Sequence, residues 1–320
     1  MRSEVQACKT PIAFIVFNRP DQTEAVFRRI AQVRPTRLLV IADGPRANRI
    51  GEAAICGRVR SIATQVDWPC EVFTNFSDTN MGCRRRVISG LNWVFEQVEE
   101  AIILEDDVLA DLSFFRFCEE MLAKFRHDSR VSMIAGFNII DEHLSAPWSY
   151  CYSQLTHIWG WATWRQSWAS YDEHLSEWPS IKAAGLMEEL FVLPEQSRFW
   201  THVFDEMYNG IGPDTWDFQW VYTNLVHHRL SVVPRVNLVQ NIGFGPGATH
   251  THRMEDAPSV KVGNLSFPLI HPPAMIPLRK MDELDGRLSK NRVPGFPERA
   301  KRKLRSVIAQ TITARGGARS

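Results

Sequence analysis

The stretch Ile103-Leu104-Glu105-Asp106-Asp107-Val108 places three adjacent carboxylates at the end of the short apolar run Ala101-Ile102-Ile103-Leu104. A short apolar run bounded by charge reads as a buried strand. Three like charges at its end repel one another, and a bound cation is the usual remedy. Oxygen ligands suit hard divalent ions such as Mn²⁺ or Mg²⁺, which often arrive carrying substrate phosphates. The stretch therefore predicts a metal–diphosphate site at the C-terminal end of a central strand.

Upstream of it, strand and helix signals alternate. Ile12 to Phe17 is an apolar run that ends in Asn18-Arg19-Pro20. Asp21, with Glu24 three residues on, predicts a capping box for a helix reaching about Val33. Leu38 to Ala42 reads as a second buried strand before the turn Asp43-Gly44-Pro45. A helix is expected around Glu52 to Ala63, and a third strand over Glu71 to Asn75. Val87, Ile88, Leu91, Val94, Phe95 and Val98 then form a helical stripe over 84–98. This alternation predicts an α/β fold with a mostly parallel central sheet and helices on both faces.

In such sheets ligands bind outside the carboxyl ends of the strands. Asn18-Arg19-Pro20, Asp43-Gly44-Pro45 and Glu105-Asp106-Asp107 should converge on that edge. So should Asn80-Met81-Gly82, which leads into Arg84, Arg85 and Arg86 at a helix start, a setting that suits an anion. A solvated turn with a helix N-cap, a plain β-turn and a solvated helix face are the structural counterparts for the acidic triplet, Asp43-Gly44 and the arginine run.

The net charge of +1 gives no sign of nucleic-acid binding by the whole chain. The six cysteines contain no CxxC pair, which argues against a zinc cluster or a disulfide framework. The N-terminus lacks the apolar segment of a signal peptide, and no apolar run nears the ~20 residues that span a bilayer. A cytoplasmic location follows as the expectation.

At these motifs the chain resembles nucleotide-sugar glycosyltransferases of the GT-A fold, whose hallmark is an Asp-x-Asp-like motif after a strand, often Glu-Asp-Asp. Glu105-Asp106-Asp107-Val108 followed by Ser113-Phe114-Phe115 is most similar to the N-acetylglucosaminyltransferase I type. The resemblance spans roughly residues 11–252. It implies a Rossmann-like three-layer sandwich and a metal-dependent, inverting transfer of a sugar from a nucleotide diphosphate. It implies direct metal ligation by Asp107, with Asp106 contacting the donor ribose or, through water, the metal, and Glu105 the donor sugar or ribose. Asp43 would accept from the uracil N3–H, which favours UDP. Asn18 and Arg19 would line the nucleotide pocket, and one of Arg84 to Arg86 would meet the diphosphate.

An inverting transferase needs a general base for the acceptor hydroxyl. In Asp214-Thr215-Trp216-Asp217-Phe218-Gln219-Trp220, Asp214 reads as a helix N-cap and Asp217 falls in the first turn. The resemblance places the base in such a Trp-Asp pair, with Asp217 first and Asp214 second. Capping and dipole stabilisation are the structural counterpart. Asn241 to His252 is glycine-rich and reads as a loop able to close on a ligand, with His250 or His252 offering a metal or diphosphate contact. In His157-Ile158-Trp159-Gly160-Trp161-Ala162-Thr163-Trp164-Arg165, Trp161, Trp164 and Trp168 are spaced as one helical face. Core packing is the expectation for Trp164 and Trp168. The resemblance puts Trp159 and Gly160 near the donor sugar and acceptor.

Domain boundaries are expected as 1–255 for the transferase domain, with 1–130 the nucleotide half and 131–255 the acceptor half. Residues 256–320 form a basic extension. From Arg279 onward there are twelve Lys/Arg against four Asp/Glu. Pro297 to Arg315 reads as a basic amphipathic helix. It would lie on the inner face of an anionic membrane, as suits a glycan or lipid-linked glycan acceptor, or pack on its own domain or on a second subunit in a homo-oligomer. Two rivals stand beside the transferase: a sugar nucleotidyltransferase, and a non-catalytic nucleotide- or glycan-binding protein. Asn18-Arg19-Pro20 has too few glycines for the loop usual in the first.

Overall fold

Three βα units open the chain in a computed structural model that describes residues 7–140, 147–191, 193–243 and 260–290. The elements are β1 (Ile12–Val16), α1 (Pro20–Val33), β2 (Arg37–Ala42), α2 (Glu52–Thr64), β3 (Glu71–Phe76), α3 (Cys83–Gln97) and β4 (Glu100–Glu105). The expected strands and helices fall within a residue or two of these bounds. One start differs in kind. Asp21 forms no capping box; Pro20 takes the first helical position, where its missing N–H costs nothing, and Arg19 is the N-cap residue.

The second half holds β5 (Val108–Ala110), α4 (Leu112–Phe125), β6 (Val131–Ala135), β7 (Tyr150–Ser153), β8 (Trp161–Trp164), α5 (Arg165–Trp168), α6 (Trp178–Ala183), α7 (Met187–Leu190), α8 (Pro194–Tyr208), α9 (Asp217–Val226), β9 (Leu230–Pro234), β10 (Val239–Asn241) and α10 (Arg279–Lys290). Eight strands form one sheet in the order β3-β2-β1-β4-β8-β6-β9-β7. The first four are parallel; β8 enters antiparallel between β4 and β6. β1, β2 and β4 are buried almost throughout, as expected of strands covered on both faces. α1 packs on α2 and α4, while α3 packs on α5. The architecture is a Rossmann-like α/β sandwich with a mixed, largely parallel central sheet.

Strand order runs β1 to β3 in one direction and then resumes with β4 on the other side of β1. That reversal opens a crevice between the carboxyl ends of β1 and β4. The register pairs Phe14 with Leu104 and Ile15 with Glu105, so the acidic triplet ends up beside the Phe17-Asn18-Arg19 turn.

Trp161 and Trp164 do not lie on a helix. They occupy β8, whose central pairing with β4 overrides the helical spacing, and α5 begins only at Arg165. Trp161, Trp168, Trp216 and Trp220 still form one buried block. Trp161 stacks on Trp216 at 5.5 Å between centroids, and Trp168 stacks on Tyr171 at 4.5 Å. This block fixes the start of α9 against the sheet. A second apolar cluster, built around Trp178, Phe204 and Tyr222, seats α8 on α9.

All six cysteines are free thiols, in line with the absence of a disulfide framework. No helix among the described residues is long and apolar enough to cross a membrane. His250, His252 and the basic 297–315 segment lie outside the described residues.

Candidate active site

Glu105 is the last residue of β4, and Asp106 and Asp107 follow in the turn before β5. Asp106 is buried and accepts from the backbone N–H of Phe17 at 3.0 Å, which ties the triplet to the turn after β1. Arg19 forms an ion pair with Asp107 and approaches Asp106 Oδ1 at 3.8 Å. Burial, and then the neighbouring carboxylates, push Glu105 and Asp106 well above the usual carboxylate range, with Arg19 pulling back. Asp217 is among the charges that raise Glu105. With every carboxylate ionised, the site would hold more negative charge than one arginine neutralises.

A β5–β10 ladder closes the near side, pairing Val108 with Asn241. The next backbone N–H, of Ile242, donates to the Asp107 carbonyl at 2.7 Å. A Cβ on Gly243 would sit 2.1 Å from Asp107 Oδ2 and 2.8 Å from an Arg19 nitrogen. The first glycine of the expected loop is thus a close approach to the carboxylate rather than a hinge. Gly160 serves a similar purpose below: at φ 58° its Cβ would meet Val239 at 2.9 Å and Val108 at 3.3 Å. Trp159 packs edge-on to Phe137 at 4.7 Å.

Asp43 is buried at the end of β2. Its carboxylate accepts from Gly44 N (2.8 Å), Met81 N (2.8 Å), Gly82 N (3.2 Å) and Asn80 Nδ2 (2.9 Å). Those donors use up the roughly four lone-pair sites of a carboxylate. Asp43 staples the end of β2 to the loop that opens α3, so its oxygens already have partners at the position where the resemblance implies a uracil contact. The preference for UDP rests on that contact.

Asn18 donates to Glu52 Oε1 at 2.9 Å, and Glu52 also holds Arg46 through side chain and backbone. Neither Arg46 nor Glu52 was legible as part of the site, because their pairing depends on the 46–51 turn and its left-handed Gly51. Hydrogen bonds from Arg46 are the largest cause holding Glu52 down at about 2, against an ordinary 4.5. A depressed carboxylate stabilises the fold above pH 4.5, and that contribution fades as pH falls toward 2. The stability gap between wild type and Glu52→Gln should therefore narrow over that interval in denaturant titrations. A gap constant across it would remove the linkage.

The three arginines separate. Arg86 is buried and spent on Asn75 and Ser89 Oγ. Arg84 turns to the second half of the chain, donating to the Glu173 carbonyl at 2.9 Å. With the Gln219 amide oriented to donate to the Thr215 and Trp216 carbonyls, Arg84 Nε also reaches Gln219 at 3.3 Å. Arg85 is exposed and makes no ion pair among the described residues. All three stand in the first turn of a helix, where the macrodipole disfavours cations; Arg86 is held there by its hydrogen bonds.

Asp214 does not cap its own helix. The helix starts at Asp217, and Asp214 instead reaches across to the N-terminus of α3, accepting from Cys83 N at 3.0 Å. Gly82 at φ 81° is the point of contact, with Asp214 Oδ2 2.8 Å from where a Cβ would be. Asp217 accepts from Thr215 Oγ1. Burial, then Glu105, Asp214, Asp217 and Asp107, raise the Cys83 thiol, so it stays protonated amid these carboxylates. The structure thus brings together Arg19, Glu105, Asp106, Asp107, Asp214 and Asp217 and leaves Asp43 behind the site.

Hard oxygen donors make the triplet chemically suited to Mn²⁺ or Mg²⁺. Among the described residues no three His, Cys, Asp or Glu side chains enclose an ion. The donor set fits an open-sided site, in which a hard cation takes few protein ligands and completes its shell from phosphates and water.

No family model matches the chain, and no curated protein matches it. Solved structures similar in outline include the following two. Mannose-1-phosphate geranyltransferase from Thermus thermophilus is 13% identical, with a TM-score of 0.37 over 72% of this chain and 75% of that one. The 4-diphosphocytidyl-2C-methyl-D-erythritolsynthase of Anaerococcus prevotii is 12% identical, with a TM-score of 0.31 over 69% of this chain and 97% of that one. Likeness this loose carries no argument about activity.

Proposed function

We propose that this chain is a metal-dependent, inverting glycosyltransferase using a nucleotide-diphosphate sugar. The observation that carries it is the acidic triplet at the switch point between β1 and β4, in the same charge cluster as Asp217 on the first turn of α9. Asp107 would ligate Mn²⁺ or Mg²⁺. The bound ion supplies charge neutralisation for the departing diphosphate. Arg19 adds a fixed positive charge at the triplet. Asp217 takes the proton of the acceptor hydroxyl as that oxygen attacks C1 of the sugar, and the C1–O bond to the diphosphate breaks. The acceptor is a glycan or lipid-linked glycan held on the α8–α9 side.

A screen of UDP-, GDP- and CDP-sugars for hydrolysis tests this reading. Hydrolysis of one donor should require Mn²⁺ and stop with EDTA. In Asp107→Ala the Mn²⁺-stimulated rate should fall at least tenfold, to about the chelated level. Turnover indifferent to Mn²⁺ and to Asp107 would end the metal mechanism. The screen run with nucleoside triphosphates and sugar 1-phosphates, read by pyrophosphate release, covers the nucleotidyltransferase alternative. Binding without turnover in either format would leave a binding protein.

A further inference from the structure

We propose that the acceptor of this reaction carries an anionic group, a carboxylate or a phosphate, seated by Arg85 beside the reacting hydroxyl; this rests on the glycosyltransferase reading. A cavity of about 670 Å³ opens next to Asp214, between the start of α3 and the α8–α9 connection. That volume matches a ligand of one or two sugar rings. Its wall includes Arg84, Arg85, Glu173, His174, Tyr208 and Asp214.

The wall carries two arginines and two carboxylates, and they are not evenly paired. Arg84 is 3.7 Å from Glu173 Oε1, and Asp214 faces the backbone N–H of Cys83. Arg85 makes no ion pair among the described residues, and His174 adds a nitrogen donor or acceptor to the same wall. Tyr208, about half exposed, closes α8 and offers a ring face to sugar C–H groups. Gly210 at φ 67° turns the chain directly after it. A ring face beside an arginine free to pair selects a sugar bearing negative charge over its neutral counterpart. Arg84, hydrogen-bonded to Glu173, and Asp214, which caps α3, join this cavity to the carboxylate cluster. An acceptor held there would present its hydroxyl toward Asp217.

The full-length chain can be tested by ligand-observed NMR with methyl β-D-glucuronide, glucose 6-phosphate and methyl β-D-glucoside. At least one charged sugar should bind about tenfold more tightly than the glucoside, the gain expected of one charge-assisted hydrogen bond. Arg85→Ala should remove that preference and Arg85→Lys should keep part of it. Tighter glucuronide assigns a carboxylate, and tighter glucose 6-phosphate a phosphate. Equal affinity for all three sugars, or a preference untouched in Arg85→Ala, overturns the proposal. Nucleotide binding is followed separately by calorimetry. Its loss in Arg85→Ala without any change in sugar preference would return the arginine to the donor diphosphate and overturn the proposal too. Failure of the wild type to bind any nucleotide diphosphate would sink the transferase reading, while charge-selective sugar binding would still stand as a measured property.

Discussion

Asp217→Asn should lower kcat for sugar transfer by about 10²–10⁴-fold, the usual contribution of a positioned general base, with the donor's KM nearly unchanged. Asparagine keeps the shape and accepts from Thr215 Oγ1 as aspartate does. The start of α9 is held by Trp216 and Trp220 in the aromatic block, so the substitution leaves the helix seated. Only the capacity to take a proton is removed. Asp214→Asn provides the contrast. Its amide oxygen can still cap α3, so stability should change little, and transfer should be affected far less. A larger kcat loss in Asp214→Asn than in Asp217→Asn would move the base to Asp214.

Asp43→Ala is expected to destabilise the chain by about 3 kcal/mol or more. Three backbone N–H groups lose their acceptor at once, while Asn80 Nδ2 keeps the Gly44 carbonyl at 3.0 Å; each group left unpaired costs about 1–3 kcal/mol. Partial relaxation of the 80–82 loop recovers some of that. Burial raises the Asp43 carboxyl, while three backbone N–H groups and the Arg86 charge pull it down. Asp43→Asn should rescue little, because its amide turns N–H groups toward N–H groups. The denaturant midpoint measures both variants. A midpoint equal to wild type in Asp43→Ala would show that Asp43 is not a structural staple and would reopen a contact with the nucleotide base.

The first half of the fold was legible because its strands are short apolar runs and its helices carry a clear apolar stripe. Pattern and tertiary burial agree there. The tryptophan run misled for the opposite reason. Its spacing fits a helix, but β8 sits between β4 and β6, where ladder pairing decides the conformation. At the site, the acidic triplet was readable as unneutralised charge after a strand. Asp43 carries the same sort of signal, an acid after a buried strand, yet it serves the loop before α3. Sequence cannot separate the two cases, since the difference lies in which way the 80–82 loop folds back. The cap that Asp214 gives to α3 joins residues 131 positions apart. No local pattern encodes a contact of that range, and the same holds for the cavity wall assembled from α3, α8 and the 173–174 turn.

The near-parallel stack of Trp161 on Trp216, tilted by only 22°, couples the transition dipoles of the two indoles. Such pairs give exciton-split bands in circular dichroism that vanish when the rings part. Trp216 is bonded to Asp217, so the couplet reports optically on the seat of the proposed base. Any ligand that shifts α9 relative to β8 would announce itself in that band, with no label attached and before turnover begins.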